Sequence, residues 1–120
     1  MKLRLFRGIL VLHVLGVLTQ SVLAGQFLSG ADSMVVMHEV TGWCVATLGL
    51  LQTGLAFTLP RQRGGLWFAV GSFFLLIGEA LQVGTGYGRF LGVHVPLALL
   101  IVTALVAMTG AAFRGEPKAA

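Results

Sequence analysis

The amino-acid sequence predicts an all-α integral membrane protein, folded as an up-down bundle of four helices. Three observations lead to this fold class: the composition, four long apolar stretches, and the short connections between them. Of the 120 residues, 57% are hydrophobic and 10% are charged, whereas a soluble domain carries about 25% charged residues. So few charges cannot cover a core with a water-facing surface. This argues against a soluble enzyme or nucleic-acid-binding module, and the single Cys44 argues against a disulfide scaffold.

The four apolar stretches have the length of membrane-spanning helices, which need roughly 20 apolar residues. We predict helices over about 5–28, 35–59, 66–84 and 91–113. The connections between them are short and polar or rich in glycine, so that consecutive helices must be antiparallel neighbours. Residues 1–120 are therefore expected to form a single membrane domain.

The first stretch also resembles a secretory signal peptide. Residues 1–25 have a basic start, an apolar centre and a small-residue cleavage pattern that ends at Ala24, as such signals do. We interpret the segment as the first membrane helix.

The basic residues predict the orientation of the bundle in the plasma membrane. One end carries Lys2, Arg4, Arg7, Arg61, Arg63, Arg114 and Lys118, and the other carries Arg89. Lysine and arginine are enriched in cytoplasmic loops, so both termini are predicted to be cytoplasmic. The formal charge of +4 is then a consequence of topology, and no nucleic-acid partner is expected.

Ionisable side chains inside the predicted helices are candidates for function, because they are costly to place in a membrane. These residues are His13, His38, Glu39, Glu79 and His94. His38 and His94 each lie within about one helical turn of the outer end of their helix. If helices 2 and 4 are diagonal in the bundle, the two imidazoles can bind opposite faces of a flat macrocycle such as haem.

Glycines on the face of helix 2 that carries His38 indicate space beneath such a ligand. Gly42 and Gly49 follow His38 at helical spacing, and we place both at the candidate cofactor site. The alternative is that they line an ordinary helix contact, as small residues do in membranes. Glu79 on helix 3 is a candidate to orient a ligand histidine through its second ring nitrogen. The alternative is a protonated carboxylic acid hydrogen-bonded to another helix.

Two further residues extend the hypothesis. Arg89 is the basic residue at the outer end and has the shape to bind the carboxylates of haem propionates, or it is a solvated loop residue. His13 is expected to stand alone in the inner half of helix 1 and to hydrogen-bond across helices. Met108 is the one partner with which it could bind an inner haem.

Several segments together resemble known families. These are residues 24–28, the pair His38 and Glu39, the pair Leu81 and Gln82, and residues 92–97. In them the chain resembles a group of small four-helix membrane proteins of actinobacterial type. It is more distantly similar to one half of haem A synthase and to four-helix transmembrane b-type cytochromes. The resemblance implies that His38 and His94 are axial ligands of haem. The chain lacks the duplicated bundle of haem A synthase and has no arginine after His38, so haem binding is what carries over.

The leading hypothesis is a membrane-embedded electron carrier with one haem b, which exchanges electrons with a quinone, a partner subunit or an external protein. One alternative is a copper or zinc site formed by His38, His94 and Glu79. Another is an accessory or assembly subunit without a cofactor, in which the polar residues bridge helices. The glycine-rich helices also suit self-association as a homodimer. Whether the chain is an enzyme stays open.

Overall fold

The computed structural model describes residues 1–61 and 64–114, and these fold into four helices. They are α1 (Lys2–Leu28), α2 (Met34–Ala56), α3 (Gly65–Tyr87) and α4 (Leu91–Phe113). Each is long and apolar enough to cross a membrane, as in a multi-pass membrane protein. The predicted all-α bundle is therefore confirmed. Arg63 and Lys118, which contributed to the predicted orientation, lie outside the described residues.

The helices form a ring in chain order. Among the described residues, α1 packs against α2 and α4, and α3 packs against the same two helices. Thus α2 and α4 are diagonal, as the two-histidine hypothesis requires. We call the end that carries connections 29–33 and 88–90 the histidine end. The end that carries Met1, Pro60 and Arg114 is called the terminal end.

The second helix ends earlier than the sequence analysis predicted, at Ala56 instead of Leu59. Pro60 disfavours helical geometry in the residue before it. The Thr58 hydroxyl donates to the Leu55 carbonyl over 2.8 Å, which satisfies one of the carbonyls that the helix end leaves free.

The third helix is longer than predicted and continues through Gly84 to Tyr87. The sequence analysis took its glycine-rich end as a loop. The Thr85 hydroxyl donates to the Leu81 carbonyl over 2.9 Å, so its polar group is satisfied within the helix. Gly86 is needed for close packing, because a Cβ at this position would lie 3.0 Å from Cε1 of His94.

The core is built from residues that recur along every helix at alternating intervals of four and three, the spacing of an inward-facing stripe. These are Phe6, Leu10, His13 and Val17; Val45, Gly49, Gln52 and Ala56; Phe68, Ser72, Leu75 and Glu79; and Ile101, Leu105, Met108 and Ala112. All of them are buried. The outward faces are largely apolar and exposed, as expected for helices surrounded by lipid.

The same stripes continue toward the histidine end, where their residues change character. Two positions follow on each helix: Gln20 and Ala24, His38 and Gly42, Gln82 and Gly86, and His94 and Ala98. Every one of them is half-buried. The bundle is thus closed from the terminal end to mid-depth, whereas the histidine end is lined by small and polar residues.

The α1–α2 hairpin and the α3–α4 hairpin repeat each other. Phe6 and Phe68 hold matching positions and their rings pack 5.2 Å apart. Gln20 matches Gln82, and His38 matches His94, each at the same place in the four-and-three pattern. The structure is therefore two similar hairpins that face each other across a pseudo-twofold axis along the bundle.

Candidate functional site

The structure brings His38 and His94 together at the histidine end. Their ring centroids lie 6.3 Å apart and the ring planes are inclined by 59°. Both side chains are half-buried and lie within the bundle. Because α2 and α4 are diagonal, the two imidazoles approach each other across the bundle axis from opposite sides.

Both imidazoles are oriented by the same contact. Nδ1 of His38 donates to the Gln20 carbonyl over 3.1 Å, and Nδ1 of His94 donates to the Gln82 carbonyl over 3.0 Å. A carbonyl oxygen only accepts, so Nδ1 carries the ring proton in each histidine. Nε2 then keeps its lone pair. Metal-binding histidines are prepared in this way, with the second ring nitrogen bonded to a backbone carbonyl.

Gln20 and Gln82 complete a reciprocal pair of bonds with the histidine segments. The Gln20 amide donates to the His38 carbonyl over 2.9 Å, and the Gln82 amide donates to the His94 carbonyl over 2.9 Å. Gln20 also contacts the Thr41 hydroxyl. Each hairpin is thereby fixed in rotation at the level of its histidine. This role of Gln20 and Gln82 was not predicted, although the presence of a glutamine at the matching position of both hairpins signals it.

Of the two glycines placed at the site, one lies close to the histidine pair. A Cβ at Gly42 would be in ordinary contact with the Gln20 side chain, at 3.8 Å, one turn below His38. Gly49 is different, because the space above its Cα is filled by the carboxylate of Glu79. Gly49 therefore accommodates a protein side chain.

Glu79 does not contact the two outer histidines. Its Oε1 lies 2.8 Å from Nε2 of His13, and the two side chains are 4% and 0% exposed. The expectation that His13 stands alone at its depth is therefore wrong. The two atoms are close, although the contact does not meet the full geometry of a hydrogen bond.

A polar layer extends from His13 to every helix of the bundle. Nδ1 of His13 lies 2.9 Å from Oε1 of Gln52, and Nε2 of Gln52 donates to the Ser72 hydroxyl over 3.0 Å. The Met108 sulfur accepts from Gln52 and from Ser72, both over 3.6 Å. Met108 thus accepts hydrogen bonds from other side chains and is not paired with His13 as a second haem ligand.

Arg89 lies in the 88–90 connection and is exposed. Its φ angle is 55°, in the left-handed region, which costs a non-glycine residue about 1–2 kcal/mol. The turn is fixed by bonds from the Arg89 amide to the Gly86 carbonyl over 3.0 Å and from the Phe90 amide to the Thr85 carbonyl over 2.9 Å. Arginine therefore occupies a position that favours glycine.

Glu39 is exposed and contributes to a contact between α2 and α3 at the histidine end. The Tyr87 hydroxyl donates to Oε1 of Glu39 over 2.5 Å, and the Trp43 indole donates to the Tyr87 oxygen over 3.3 Å. Aromatic residues with polar atoms are typical of the membrane–water boundary. This cluster lies outside the space between the histidines.

The copper or zinc alternative requires a third ligand beside the histidine pair. Within residues 1–61 and 64–114, no group of three or more histidine, cysteine, aspartate or glutamate side chains could hold a metal ion. The structure places Glu79, the proposed third ligand, against His13. Comparisons of the chain with family models, with curated proteins and with solved structures found no match.

The fit between Gly49 and Glu79 generates a stability prediction. We expect Gly49→Ala to lower the free energy of unfolding by about 1–3 kcal/mol, the usual cost of overpacking a core, because the new methyl displaces the carboxylate from His13. Thermal unfolding in detergent, followed by circular dichroism, measures the change. Gly54→Ala on the same helix is the matched control, since a Cβ there meets nothing within 4 Å. Equal stability of the two variants would contradict the packing at Gly49.

Proposed function

We propose that the chain is a transmembrane b-type cytochrome that transfers electrons through one haem b held by His38 and His94. The supporting observation is the pair of imidazoles on diagonal helices, with ring centroids 6.3 Å apart and with both Nε2 atoms left for a ligand. No other pair of histidine rings in the described part of the chain approaches in this way.

The separation of the two rings fits two bonds to one metal ion. A metal–imidazole bond of about 2 Å on each side, with roughly 1 Å from each nitrogen to its ring centroid, adds up to about 6 Å. The observed 6.3 Å agrees with that value. If the two rings were hydrogen-bonded to each other, one ring nitrogen would have to donate to the other ring. Both Nδ1 protons are instead used in bonds to backbone carbonyls, which leaves both Nε2 atoms as acceptors for a metal.

The surroundings of the pair fit a flat group. The inward positions of all four helices at the histidine end are small or polar and half-buried, with Ala24, Gly42 and Ala98 among them. Gly86 accommodates the His94 ring. Bundle cores with facing histidines are common cofactor sites. The matching hairpins place His38 and His94 in similar surroundings, which would suit a group held alike by both residues.

Two histidine ligands favour electron transfer. Haem b, when bound, supplies a one-electron iron couple at the level of His38 and His94. If His38 and His94 both hold the group, this chain would offer no site at which oxygen could bind to it. Gln20 and Gln82 hold both rings in place through their carbonyls, so that the ligands need not rearrange when the charge on the metal changes.

The exchange of electrons takes place at the histidine end. A site near one end of helices that span about 30 Å of hydrocarbon cannot carry an electron to the other end by itself. We infer that a quinone or a redox protein meets the chain at the histidine end. We also propose that this end faces outward from the cytoplasm, because Lys2, Arg4 and Arg61 lie at the terminal end.

The proposal predicts a coloured protein with a b-type spectrum. The purified chain, or the chain after incubation with haem, is expected to show a reduced-minus-oxidised b-type difference spectrum. His38→Gly and His94→Gly are each expected to lose it, because each removes one of the two residues that would hold the haem. Added imidazole is expected to restore the spectrum in both variants by occupying the space left by the missing ring.

Rescue by imidazole distinguishes the loss of a ligand from the loss of the fold. A wild-type protein that stays colourless and takes up no added haem would refute the proposal. Elemental analysis of the same sample identifies copper or zinc, which would support the metal-site alternative. Stable co-purification with a larger complex and no cofactor would support an accessory subunit.

Arg89 generates a prediction in which stability and binding change in opposite directions. Arg89→Gly is expected to stabilise the haem-free protein by about 1 kcal/mol, because glycine adopts a positive φ without strain. The same change is expected to weaken haem binding about tenfold, the loss of about 1.4 kcal/mol, since arginine no longer holds a propionate. Arg89→Lys retains the charge and the strained φ, and is the control. Unchanged haem affinity in Arg89→Gly would show that Arg89 is a solvated loop residue without a role in haem binding.

The orientation is tested by labelling single cysteines in intact cells. In a Cys44→Ala background, Ser29→Cys at the histidine end is expected to react with a membrane-impermeant maleimide. Thr58→Cys at the terminal end is expected to react only after the cells are opened. Both native residues are exposed. A difference in labelling would therefore report the side of the membrane on which each residue lies. The reverse pattern would place the termini outside.

A further inference from the structure

His13 and Glu79 form a buried contact that does not include His38 or His94, and the hydrogen bonds of the surrounding side chains indicate where its protons lie. The side chains are 0% and 4% exposed, on helices α1 and α3, with Nε2 of His13 2.8 Å from Oε1 of Glu79. Ionisable groups at membrane depth are costly. A pair of them at this depth must therefore be stabilised by each other and by neighbouring polar groups.

The orientation of Gln52 is fixed by Met108. A thioether sulfur only accepts hydrogen bonds, so the Gln52 nitrogen must be the atom that faces it, at 3.6 Å. Oε1 of Gln52 then faces His13 at 2.9 Å. Because that oxygen also only accepts, Nδ1 of His13 carries a proton.

One further proton must lie between His13 and Glu79. If Nε2 of His13 and the carboxylate were both unprotonated, two acceptors would face each other at 2.8 Å and would repel. A proton on Nε2 makes an ion pair, and a proton on the carboxyl makes a neutral pair. In both forms the pair has one shared proton and no net charge, which is the form that a low-dielectric interior tolerates best.

Buried acceptors without partners lie on the side of the pair that faces the histidine end. Apart from the two atoms of the His13 contact, the buried acceptors without a hydrogen-bond partner in the described residues are Oε2 of Glu79 and Oε1 of Gln82. Gln82 follows Glu79 by one turn on the same face of α3, and its amide nitrogen bonds the carbonyl of His94 over 2.9 Å. Buried acceptors are normally paired with protein or with ordered water. We therefore expect water to bond these oxygens and to carry protons between Glu79 and the histidine end.

The opposite direction is closed by apolar packing. Between the polar layer and the terminal end the Phe6 and Phe68 rings pack 5.2 Å apart, with Ala56 and Ala112 buried at the same level. From the helices packed around the pair, α2 presents Gly49 and Gln52 and α4 presents Met108. In the described residues neither helix presents an ionisable group to the pair.

We propose that His13 and Glu79 form a proton-binding site inside the membrane, which holds one shared proton and takes up a second when the metal held by His38 and His94 is reduced. The redox link rests on the proposed function. Gly49, against which Glu79 packs, lies about three helical turns, or roughly 16 Å, from His38 on the same face of α2. An added electron acts over this distance with little screening by salt and favours positive charge at the pair. The reductant supplies the electron, and water at the histidine end supplies the proton.

The test is the pH dependence of the midpoint potential of the haem-loaded protein, measured by spectroelectrochemistry. Reduction with proton uptake becomes harder as pH rises. The wild-type potential is therefore expected to fall, by at most about 59 mV for each tenfold decrease in proton activity. This slope is expected to be lost in Glu79→Gln and in the double variant His13→Leu with Glu79→Val.

The double variant is designed from the repeat of the two hairpins. Leu75 matches position 13 and Val17 matches position 79, so the substitutions place at each position the residue that the other hairpin already holds there. Apolar replacement of a buried ion pair is often tolerated, and an unchanged haem spectrum confirms the fold. Asp32→Asn removes an exposed carboxylate in the 29–33 connection and is the control, for which the wild-type slope is expected. A wild-type slope in both Glu79 variants would overturn the proposal.

Infrared spectra separate this inference from the proposed function. Redox-difference spectra are expected to contain a carboxylic acid C=O band that shifts in heavy water and is absent from Glu79→Gln. If the wild-type chain takes up no haem, the redox link is refuted together with the cytochrome. In that case, pH-difference infrared spectra of the haem-free protein test whether His13 and Glu79 bind a proton. A Glu79-dependent band supports the proton site, and the lack of one at every pH overturns it.

Discussion

The surrounding hydrocarbon provides no hydrogen bonds, and this constraint determines how the four helices are rotated. Every polar side chain at membrane depth must find its partner inside the bundle. The stripes of α1 and α3 therefore turn His13 and Glu79 toward each other, at 2.8 Å, and Gln52 joins them from α2. Hydroxyl groups that face outward bond their own helix, as Thr47 does to the Trp43 carbonyl over 2.8 Å. Removing one member of the inner layer would leave the others buried without partners, which costs far more than the bond itself.

The layer at the histidine end follows the repeat of the two hairpins, whereas the inner layer around His13 and Glu79 does not. The first is suited to a ligand and the second to a proton. At the histidine end, His38 and His94 are matched residues with matched bonds to Gln20 and Gln82, an arrangement suited to a ligand bound equally from both sides. The inner layer breaks the repeat. Its polar members match apolar residues of the other hairpin: His13 matches Leu75, Glu79 matches Val17, Ser72 matches Leu10, and Gln52 matches Met108. The inner layer sets an imidazole against a carboxyl group, and such a pair can hold one proton without net charge.

Sequence reasoning predicted the fold class and the proximity of His38 and His94, because both follow from apolar length and from depth at helix ends. It did not predict the contact between His13 and Glu79, because the depth of each residue was misjudged. Their depths were counted from helix ends set at Leu5 and Gly84, whereas the helices extend to Lys2 and Tyr87, which moves both residues toward mid-membrane. Helix ends are difficult to locate where glycine and threonine continue a helix whose hydroxyls bond its own backbone. The role of Gly49 could not be predicted at all, since it depends on which side chain of another helix fills the space.

The core is closed by apolar packing toward the terminal end and not toward the histidine end. This limits how electron transfer at His38 and His94 could be combined with proton binding at His13 and Glu79. Apolar packing of Phe6, Phe68, Ala56 and Ala112 separates the polar layer from the terminal end, so an electron and a proton would both enter and leave at the histidine end. An electron that stops at His38 and His94, followed by a proton that reaches Glu79 from the same side, moves little net charge through the membrane. Each charge would compensate the other within the bundle, where isolated charges are costly. On this argument the chain would store an electron with its compensating proton. It would not move charge across the membrane against the potential, which would require a second site connected to the terminal end.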